Sequence, residues 1–312
     1  LWVLPLEPFE WRYTNDWFRW FSDEFTRLDV EHTYVLGESL TDRIEIGRFL
    51  DIYNTVNWKM TQMAGVAKLF RQKQIKDGDI FFTFDLWHPG FECVMYMAQL
   101  SGIRVKTYGV LHAGTYDEHD FTAQANLGFW AKYHERGWMA LVDGIFVGSE
   151  FHRDLILSHR RFEGLENKIH VTGLPFYGTE LQTKYGQIRK DRNLVVFPNR
   201  LDPEKQPDIF DQIADQVRER CPGTRFVKTQ EVCKTKEDYY RTLASASISV
   251  SCSLQETFGY AMLESWALGC HVVAPRRLSY PEMPYAHNLY DSVSDAVDMI
   301  VDLLSGDRIV DY

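Results

Sequence analysis

The feature that most constrains the fold is the alternation of short apolar runs with segments of helix length. Six such runs in the first half of the chain predict strands, at residues 2–6, 32–36, 80–84, 105–111, 145–147 and 169–172. A helix-like spacing of apolar residues over 16–28 follows the first of them. Regular alternation of strands and helices is typical of a parallel sheet covered on both faces. We therefore expect an α/β domain over residues 1–180.

The same pattern restarts after a polar stretch. Residues 175–192 read as an irregular connection between domains. Strands are then predicted at 194–197, 225–227, 248–250 and 271–274, with helices at 207–220, 236–246, 259–268 and 294–304. This predicts a second, smaller α/β domain over residues 190–312. The expected architecture is two Rossmann-like, doubly wound domains whose strand ends face each other across a cleft.

Composition restricts the class of protein further. The chain has 312 residues, 25% of them charged, and no run long and apolar enough to span a membrane. Its start lacks the basic and apolar regions of a secretion signal, and its five cysteines show neither an even count nor zinc-ligand spacing. We expect a cytoplasmic protein without membrane association, either bacterial or acting in a host cytoplasm if phage-encoded. The net charge of −10 disfavours non-specific binding of polyanions but leaves a local basic cleft open.

Polar residues that directly follow predicted strands are candidate site residues. Ligands of doubly wound sheets bind beyond the carboxyl ends of the strands. These residues are Glu7 and 10–15 after the first strand, 85–88 after the third, 112–114 after the fourth, 149–150 after the fifth, and Asn199, Arg200, Thr229 and Gln230 in the second domain.

Residues 251–269 (SCSLQETFGYAMLESWALG) read as a strand end, a polar turn and a helix stopped by Gly269. The start of such a helix offers unpaired N–H groups and a positive dipole end, which suit a phosphate. Glu256 would repel a phosphate but can accept hydrogen bonds from sugar hydroxyls, and Glu264, two turns into the helix, can accept from a second pair. On these residues alone, an ordinary acidic helix start with a solvated glutamate is an equally good interpretation.

Two cations precede the helix that starts at Pro207. Arg200 offers a planar fork and Lys205 a point charge, and together they could bind a diphosphate. The alternative is a charged surface loop in which Asp202 and Glu204 pair locally with these cations.

Arg200 and Lys205, followed by Glu256 and Glu264 within ETFGYAMLESWALGC, resemble the retaining GT-B glycosyltransferases that use nucleotide-diphosphate sugars. Residues 272–290 (VVAPRRLSYPEMPYAHNLY) look specifically like the tRNA-queuosine mannosyltransferase branch, and phage DNA-modifying glycosyltransferases are a second candidate. The likeness covers residues 194–304 and is weak over the first domain. It implies a hexosyltransferase that takes a UDP- or GDP-sugar as co-substrate.

The resemblance also implies roles for individual residues. It places Arg200 and Lys205 on the donor pyrophosphate, Glu256 on hydroxyls of the transferred sugar and Glu264 on the donor ribose. The implied donor-binding set is Arg200, Lys205, Thr229, Glu256, Thr257, Phe258, Gly259 and Glu264, with backbone N–H groups of Phe258 and Gly259 at the phosphate. His112 matches the histidine beside the reacting carbon, so the implied catalytic set is His112, Glu256, Arg200 and Lys205. A hydrogen-bonded core histidine is the alternative for His112.

Two departures from the family pattern are visible. Residues 10–16 replace the glycine-rich loop that many relatives carry after the first strand, and a strand is missing after Thr229. No metal is expected to be obligatory, because cations and a helix start can stabilise the departing diphosphate. Of two possible metal clusters, Asp77-Gly78-Asp79 reads as a turn and residues 117–120 as a solvated loop.

The acceptor side is predicted from the loops of the first domain. The expected acceptor-binding residues are Glu10, Trp11, Arg12, Tyr13, Asp85, Trp87 and His88. Basic residues also gather at Lys68, Arg71, Lys73 and Lys76 and at Arg153, His159, Arg160 and Arg161, with Trp130 nearby. A basic groove with aromatic residues is typical of proteins that hold a strand and an extruded base. Solvated helix faces and core aromatics are the alternative for each single residue.

We therefore expect transfer of a sugar to a hydroxyl of a modified nucleobase, either queuosine in tRNA or a 5-hydroxymethyl pyrimidine in DNA. Two alternatives stay open at this point. One is a glycosyltransferase acting on a lipid, a glycan or a small metabolite. The other is a sugar-nucleotide epimerase or a non-catalytic nucleotide-sugar binder on the same architecture. The sequence names neither the sugar, the donor base nor the oligomeric state.

Overall fold

The computed structural model describes residues 1–41 and 51–306 and divides the chain into two compact units, Leu1–Pro175 and Phe176–Tyr312. We call them unit 1 and unit 2. Each contains one sheet in which every strand pairing is parallel. Two parallel α/β units of this kind confirm the predicted fold class. No helix in the described ranges has an apolar stretch of the length needed to cross a bilayer.

Unit 1 holds six strands in the order β2-β1-β3-β4-β5-β6. The strands are β1 (Trp2–Leu4), β2 (Thr33–Tyr34), β3 (Ile80–Thr83), β4 (Lys106–Val110), β5 (Gly144–Val147) and β6 (Ile169–Val171). The helices are α1 (Tyr13–Arg27), α2 (Ile52–Arg71), α3 (Glu92–Leu100), α4 (Phe121–Gln124), α5 (Gly128–Leu141) and α6 (Glu150–Leu157). The order reverses between β1 and β3, which makes the carboxyl ends of these two strands the topological switch point where ligands bind.

Unit 2 holds five strands in the order β11-β10-β9-β7-β8. They are β7 (Asp191–Phe197), β8 (Arg225–Lys228), β9 (Ala246–Val250), β10 (His271–Pro275) and β11 (Leu289–Tyr290). The helices are α7 (Gly178–Tyr185), α8 (Pro207–Arg220), α9 (Thr229–Val232), α10 (Lys236–Ser245), α11 (Tyr260–Ala267) and α12 (Val293–Ser305). Here the switch point lies between β7 and β9, whose carboxyl ends carry the loops of Lys205 and Glu256.

Helix ends follow local chemistry. Thr235 and Ser292 cap α10 and α12 in capping boxes with Asp238 and Asp295, so two N–H groups are satisfied at each start. Gly306, with a φ of 80°, ends α12 in the left-handed region that glycine adopts without strain.

Three local expectations were wrong. Residues 178–185, expected to be an irregular connection, form α7, which packs against α10 and α11 in unit 2. Helix α1 starts at Tyr13 rather than at residue 16, so half of the expected polar loop is helical. Strand β11 was not predicted, since it has two residues and is defined by its pairing with β10 at Ala274 and Pro275.

The two faces of the second sheet have separate cores. On one face α8 and α12 pack together over β7 and β9, with Phe197, Phe210 and Ile300 almost fully buried. On the other face α7 and α10 cover a cluster that includes Leu243 and Cys270. Burial on both faces fixes the sheet, and the loops beyond the strand ends are left to carry the polar residues.

Candidate active site

In unit 2, a carboxylate and a lysine meet at the switch point. Glu256 lies in the turn between β9 and α11, and Lys205 ends a short 3₁₀ helix, Pro203–Lys205, after β7. The Lys205 Nζ lies 3.4 Å from Oε2 of Glu256 and also donates to the backbone carbonyl of Gln255. The lysine side chain is 8% exposed and the glutamate 19%, so this ion pair is largely shielded from solvent.

Glu256 also occupies the start of α11. Its Oε1 accepts hydrogen bonds from the backbone N–H of Gly259 at 2.9 Å and of Phe258 at 3.4 Å. Burial alone would raise the pKa of this carboxyl, but Lys205 and the two N–H groups outweigh it and hold the pKa below its ordinary value. The side chain is therefore ionised at neutral pH. The N–H groups expected at the donor phosphate are held by Glu256 in this structure.

The turn before α11 depends on Gly259. Its φ of 87° lies in the left-handed region, and a Cβ added there would lie 3.0 Å from the Tyr285 hydroxyl and 3.4 Å from the ring of Tyr280. Tyr280 is fully buried and its hydroxyl shares a hydrogen bond of 2.7 Å with Ser251 at the end of β9. The two buried tyrosines thus pack against the turn and leave room only for glycine at this position.

Glu264 lies one helical turn after Tyr260, the first residue of α11. Its two carboxylate oxygens accept hydrogen bonds of 2.9 Å each from the hydroxyls of Tyr239 and Tyr240 on α10. Burial, and then the neighbouring Glu264, raise the pKa of Tyr239, so this phenol stays a hydrogen-bond donor. Glu264 is therefore an oriented carboxylate rather than the solvated glutamate of the alternative interpretation.

Arg200 is held by its own loop. One terminal nitrogen lies 3.0 Å from Asp202 and the other 3.0 Å from Glu204, and the side chain is 35% exposed. These are the local pairs that the alternative interpretation describes. Arg200 nevertheless lies at the end of β7, in the same loop as Lys205.

Thr229 is buried at the start of α9, where its hydroxyl donates to the Phe197 carbonyl at 3.2 Å. The next residue, Gln230, accepts from the Leu201 backbone N–H at 2.7 Å. Both side chains therefore tie the end of β8 to the loop after β7. Among residues 229–245, all described, α9 and α10 are helical and no strand is formed, as the sequence predicts.

In unit 1, His112 follows β4 and both ring nitrogens have partners. Nε2 lies 2.6 Å from the Phe84 carbonyl and Nδ1 lies 2.9 Å from the Tyr13 hydroxyl. A carbonyl only accepts, so Nε2 carries the proton and Nδ1 accepts from Tyr13. Burial lowers the pKa of His112 despite the opposing charge of Asp85, so the ring is neutral at pH 7.

A second buried ion pair lies beside it. Lys59, on α2 and 5% exposed, donates to Asp85 at 2.7 Å and to the Trp87 carbonyl at 2.6 Å. Lys59 therefore holds the loop after β3 in place. Sequence reasoning missed Lys59, because it lies on a helix and not after a strand.

The remaining acceptor candidates divide into two groups. Trp11 is 38% exposed and Glu10 is exposed, whereas Arg12 pairs with the buried Glu7 at 2.8 Å. His88 is 1% exposed, and burial lowers its pKa to about 3. Its neutral ring is therefore packed in the interior and does not line the surface of the loop.

Trp87 links two neighbouring segments. Its indole N–H donates to Glu135 of α5 at 3.0 Å, and the same carboxylate accepts from the Thr115 backbone N–H and pairs with Arg161. Arg161 is consequently engaged inside unit 1. Glu135 was missed in the sequence because it lies mid-helix.

Two acidic clusters have structural contacts. Asp77 forms an ion pair with Arg104, and Asp79 accepts from Trp2 and Lys76, which agrees with a turn around Gly78. The other cluster is not the solvated loop that was expected. Asp117 and Asp120 are 7% and 6% exposed, and burial raises the pKa of Asp120 to about 6. In the described parts of the chain, no group of three or more His, Cys, Asp or Glu side chains is arranged to hold a metal ion.

Comparison with solved structures defines the class of fold. The sucrose-phosphate synthase of Thermosynechococcus elongatus matches 97% of this chain and 89% of its own with a TM-score of 0.65 at 12% identity. The catalytic domain of starch synthase IV from Arabidopsis thaliana, bound to ADP and acarbose, matches 97% and 94% with a TM-score of 0.58 at 11% identity. The chain has the fold of the GT-B glycosyltransferases, as its sequence resemblance implied.

Comparison with curated proteins finds a local similarity. Over 86 residues, 28% of this chain, the sequence is 34% identical to the tRNA-queuosine alpha-mannosyltransferase of Drosophila melanogaster. The match spans 21% of the length of that protein. No protein-family model matches the chain.

Proposed function

We propose that this protein is a retaining glycosyltransferase that moves a sugar from a nucleotide-diphosphate sugar to a hydroxyl of a modified nucleobase in nucleic acid. The observation that carries the proposal is the shielded pair of Glu256 and Lys205 at the switch point of unit 2. Lys205 and two backbone N–H groups keep Glu256 ionised, so a carboxylate and a cation meet at the position where ligands of doubly wound sheets bind. A sugar diphosphate provides hydroxyls for the first and negative oxygens for the second.

The diphosphate would be bound by Lys205, Arg200 and the start of α11. Arg200 is now paired with two single carboxylates, and a diphosphate offers a higher density of charge in their place. Charge grows on the diphosphate as its bond to the sugar breaks, so preorganised cations stabilise the transition state more than the bound donor. This leaves no obligatory role for a metal ion.

Glu264 would accept the two hydroxyls of the donor ribose. The phenols of Tyr239 and Tyr240 fix the direction of its oxygens, which an isolated mid-helix glutamate would not achieve. Adenosine diphosphate is bound in the related starch synthase structure, and a UDP- or GDP-sugar fits the proposal equally well.

In the transfer step, the bond between the anomeric carbon and the diphosphate oxygen breaks and its electron pair stays on that oxygen. The acceptor oxygen then bonds to the same carbon from the same face, and its proton passes to the departing phosphate. His112, neutral and held by Tyr13 and the Phe84 carbonyl, would line the acceptor side of this reaction.

Two observations support a nucleic-acid acceptor. The match to a tRNA-queuosine mannosyltransferase favours queuosine in tRNA over a 5-hydroxymethyl pyrimidine in DNA. The exposed Trp11 and the loop that carries Asp85 and Trp87 are the side chains that would receive such a base. We place the reaction in the cytoplasm, because all five cysteines are free.

The proposal is tested by incubating the protein with UDP- and GDP-sugars and with tRNA or hydroxymethylated DNA. The nucleic acid is then digested to nucleosides and analysed by mass. A nucleoside heavier by one hexose supports the proposal. Donor turnover that is independent of any acceptor would instead indicate an epimerase or a hydrolase, and sugar found only on lipid or small metabolites would overturn the nucleic-acid acceptor.

Replacing Glu256 should abolish transfer and leave the fold intact. Glu256→Ala removes the carboxylate that meets the sugar and leaves Lys205 without its ion-pair partner, so we expect transfer to fall at least about a hundredfold. Glu231→Ala, at an exposed glutamate of the same unit, is the matched control and should leave transfer unchanged. Equal activity of the two variants would contradict the proposed role of Glu256 in transfer.

A further inference from the structure

We propose that the exposed face of α5 in unit 1 stacks the unpaired bases of an RNA loop that flank the acceptor base. We call this face, formed by Phe129, Lys132, Tyr133 and Arg136, the α5 platform. The inference rests on the proposed function and extends it from the reacting base to the neighbouring nucleotides.

The platform begins with two aromatic side chains that are largely exposed. Phe129 is 71% exposed and Tyr133 is 70% exposed. They lie four residues apart and therefore on the same side of the helix, opposite the buried Ala131, Glu135 and Trp138. A pair of large exposed rings at this spacing is costly in water and offers two flat faces for stacking.

Cations accompany the rings. The Lys132 Nζ lies 5.1 Å from the centre of the Tyr133 ring. The half-buried Arg136 follows on the same side of the helix one turn later and donates to the Glu163 carbonyl at 3.4 Å. Arg160 is exposed on the short 3₁₀ helix Arg160–Phe162, which packs against α5. Every residue of α5 is described, and its single acidic residue, Glu135, is 3% exposed and paired with Arg161. Lys132, Arg136 and Arg160 therefore outnumber the exposed Glu163 beside Arg136, although the chain as a whole carries −10.

The platform also lies beside the candidate acceptor loops. A Cβ added at Gly128, the first residue of α5, would lie 3.8 Å from Cβ of Thr115 in the loop that follows His112. Further along the helix, Glu135 accepts from Trp87 and from Thr115. One helix thus contacts both loops through its buried side and presents the rings on its outer side.

This combination favours single-stranded nucleic acid over other partners. Proteins that hold single strands combine stacked aromatic rings with cations that meet the phosphates. A membrane-binding helix would need a continuous apolar face, whereas Arg136 interrupts this one. The match to a tRNA-modifying enzyme selects RNA among nucleic acids.

The test measures binding of a fluorescein-labelled RNA hairpin with a single-stranded loop to the complete chain by fluorescence anisotropy. The double variant Phe129→Ala/Tyr133→Ala should bind at least about tenfold more weakly, since stacking of one base is worth roughly that factor or more. The control Tyr96→Ala/Leu100→Ala removes side chains of similar exposure, 65% and 71%, at the same spacing on α3, and should stay within about twofold of wild type. Phe129→Tyr/Tyr133→Phe keeps both rings and should restore binding.

Salt dependence gives a second measurement. Lys132→Ala/Arg136→Ala should lower the slope of log affinity against log salt by about 0.7 for each RNA phosphate that the variant no longer neutralises. An unchanged slope would overturn the assignment of these cations to phosphates.

The outcomes separate this inference from the proposed transfer. If the two double alanine variants bind RNA alike, the platform is not a binding surface. If a DNA hairpin of the same sequence binds as tightly, the assignment to RNA is overturned. If wild type binds no RNA but still hydrolyses a nucleotide sugar, the inference fails while the donor half of the proposed function stands.

Discussion

Buried charged side chains are paired at both switch points. Lys205 with Glu256 and Lys59 with Asp85 each form an ion pair that solvent hardly reaches. Such pairs add little to stability, because the loss of hydration offsets most of the attraction between the charges. Both pairs lie at switch points, the positions at which doubly wound sheets in general bind ligands, and we therefore propose a functional role for them.

The role of His112 can be tested by separating turnover from donor binding. His112→Ala removes the neutral imidazole from the end of β4, and we expect kcat to fall by about a hundredfold or more while the KM for the donor changes little. Tyr13→Phe keeps the ring of the residue that donates to Nδ1 and should cost less than the histidine replacement. A change confined to KM would assign His112 to donor affinity instead.

The residues that sequence could indicate are those that directly follow strands. Arg200, Glu256 and His112 are of this kind, because the end of a parallel strand has a fixed place in the sheet. Tyr240 and Lys59 could not be found in this way. They reach the sites from helices, and their contacts join positions 24 and 26 residues apart in sequence.

At the scale of elements, the start of α11 combines a backbone requirement with a packing requirement. Gly259→Ala would place an L side chain at a φ of 87° and crowd the Tyr285 hydroxyl at 3.0 Å. We expect the free energy of unfolding to fall by about 1–3 kcal/mol and donor affinity to fall with it. Urea unfolding and donor titration measure the two effects.

Gly78→Ala is the matched control for the glycine replacement. Gly78 has a φ of 91°, and a Cβ added there meets nothing within 4 Å. The control therefore contains the backbone strain without the crowding. If both variants lose the same stability and keep the same donor affinity, the contact with Tyr285 does not matter.

Strands were easier to predict than the connections between them. Most strands are short runs of β-branched and aromatic residues between polar turns, and the residues flanking them match the expected positions closely. Helix α7 lies in a polar stretch with weak periodicity, and it is stabilised by packing on α10 and α11. Local sequence carries no information about such a tertiary contact.

At the scale of the molecule, the buried His88 and His152 and the half-buried His112 make unit 1 sensitive to acid. Burial lowers the pKa of His112, and lowers the pKa of both His88 and His152 to about 3. The unfolded chain binds a proton at each near pH 6.5, whereas the folded chain does not, so stability is full above pH 6.5 and falls as the pH drops towards 3. Asp120, with its pKa raised to about 6, binds its proton earlier in the folded chain and offsets part of the loss.

We expect the free energy of unfolding of unit 1 to fall between pH 6.5 and 5, by up to about 1.4 kcal/mol per pH unit for each histidine. Tryptophan fluorescence reports on this unit, because Trp266 is the one tryptophan of nine that lies outside it. His152→Gln removes one titrating group and should flatten the dependence. The same slope in wild type and variant would contradict this account of His152.

The division into two units was visible in the sequence because the alternation of strands and helices restarts. The order of the strands was not visible in the sequence, since it depends on the edge of the sheet to which each crossover adds the next strand. The placement of both sites at switch points follows from that order, with β1 beside β3 and β7 beside β9. Within unit 2, sequence therefore supplied Lys205 and Glu256 as candidates, and the adjacency of β7 and β9 brings these two residues together.

Glu256 is tethered three residues from the Gly259 N–H that it accepts from. Its effective concentration at this N–H is therefore far above that of a dissolved anion. Sulfate, chloride or buffer phosphate would have to displace it and leave the carboxylate without these hydrogen bonds. A sugar diphosphate would supply hydroxyls to the displaced carboxylate while its phosphates take the N–H groups. The turn before α11 would thus discriminate against simple anions, independently of any selectivity from contacts with the sugar or the base.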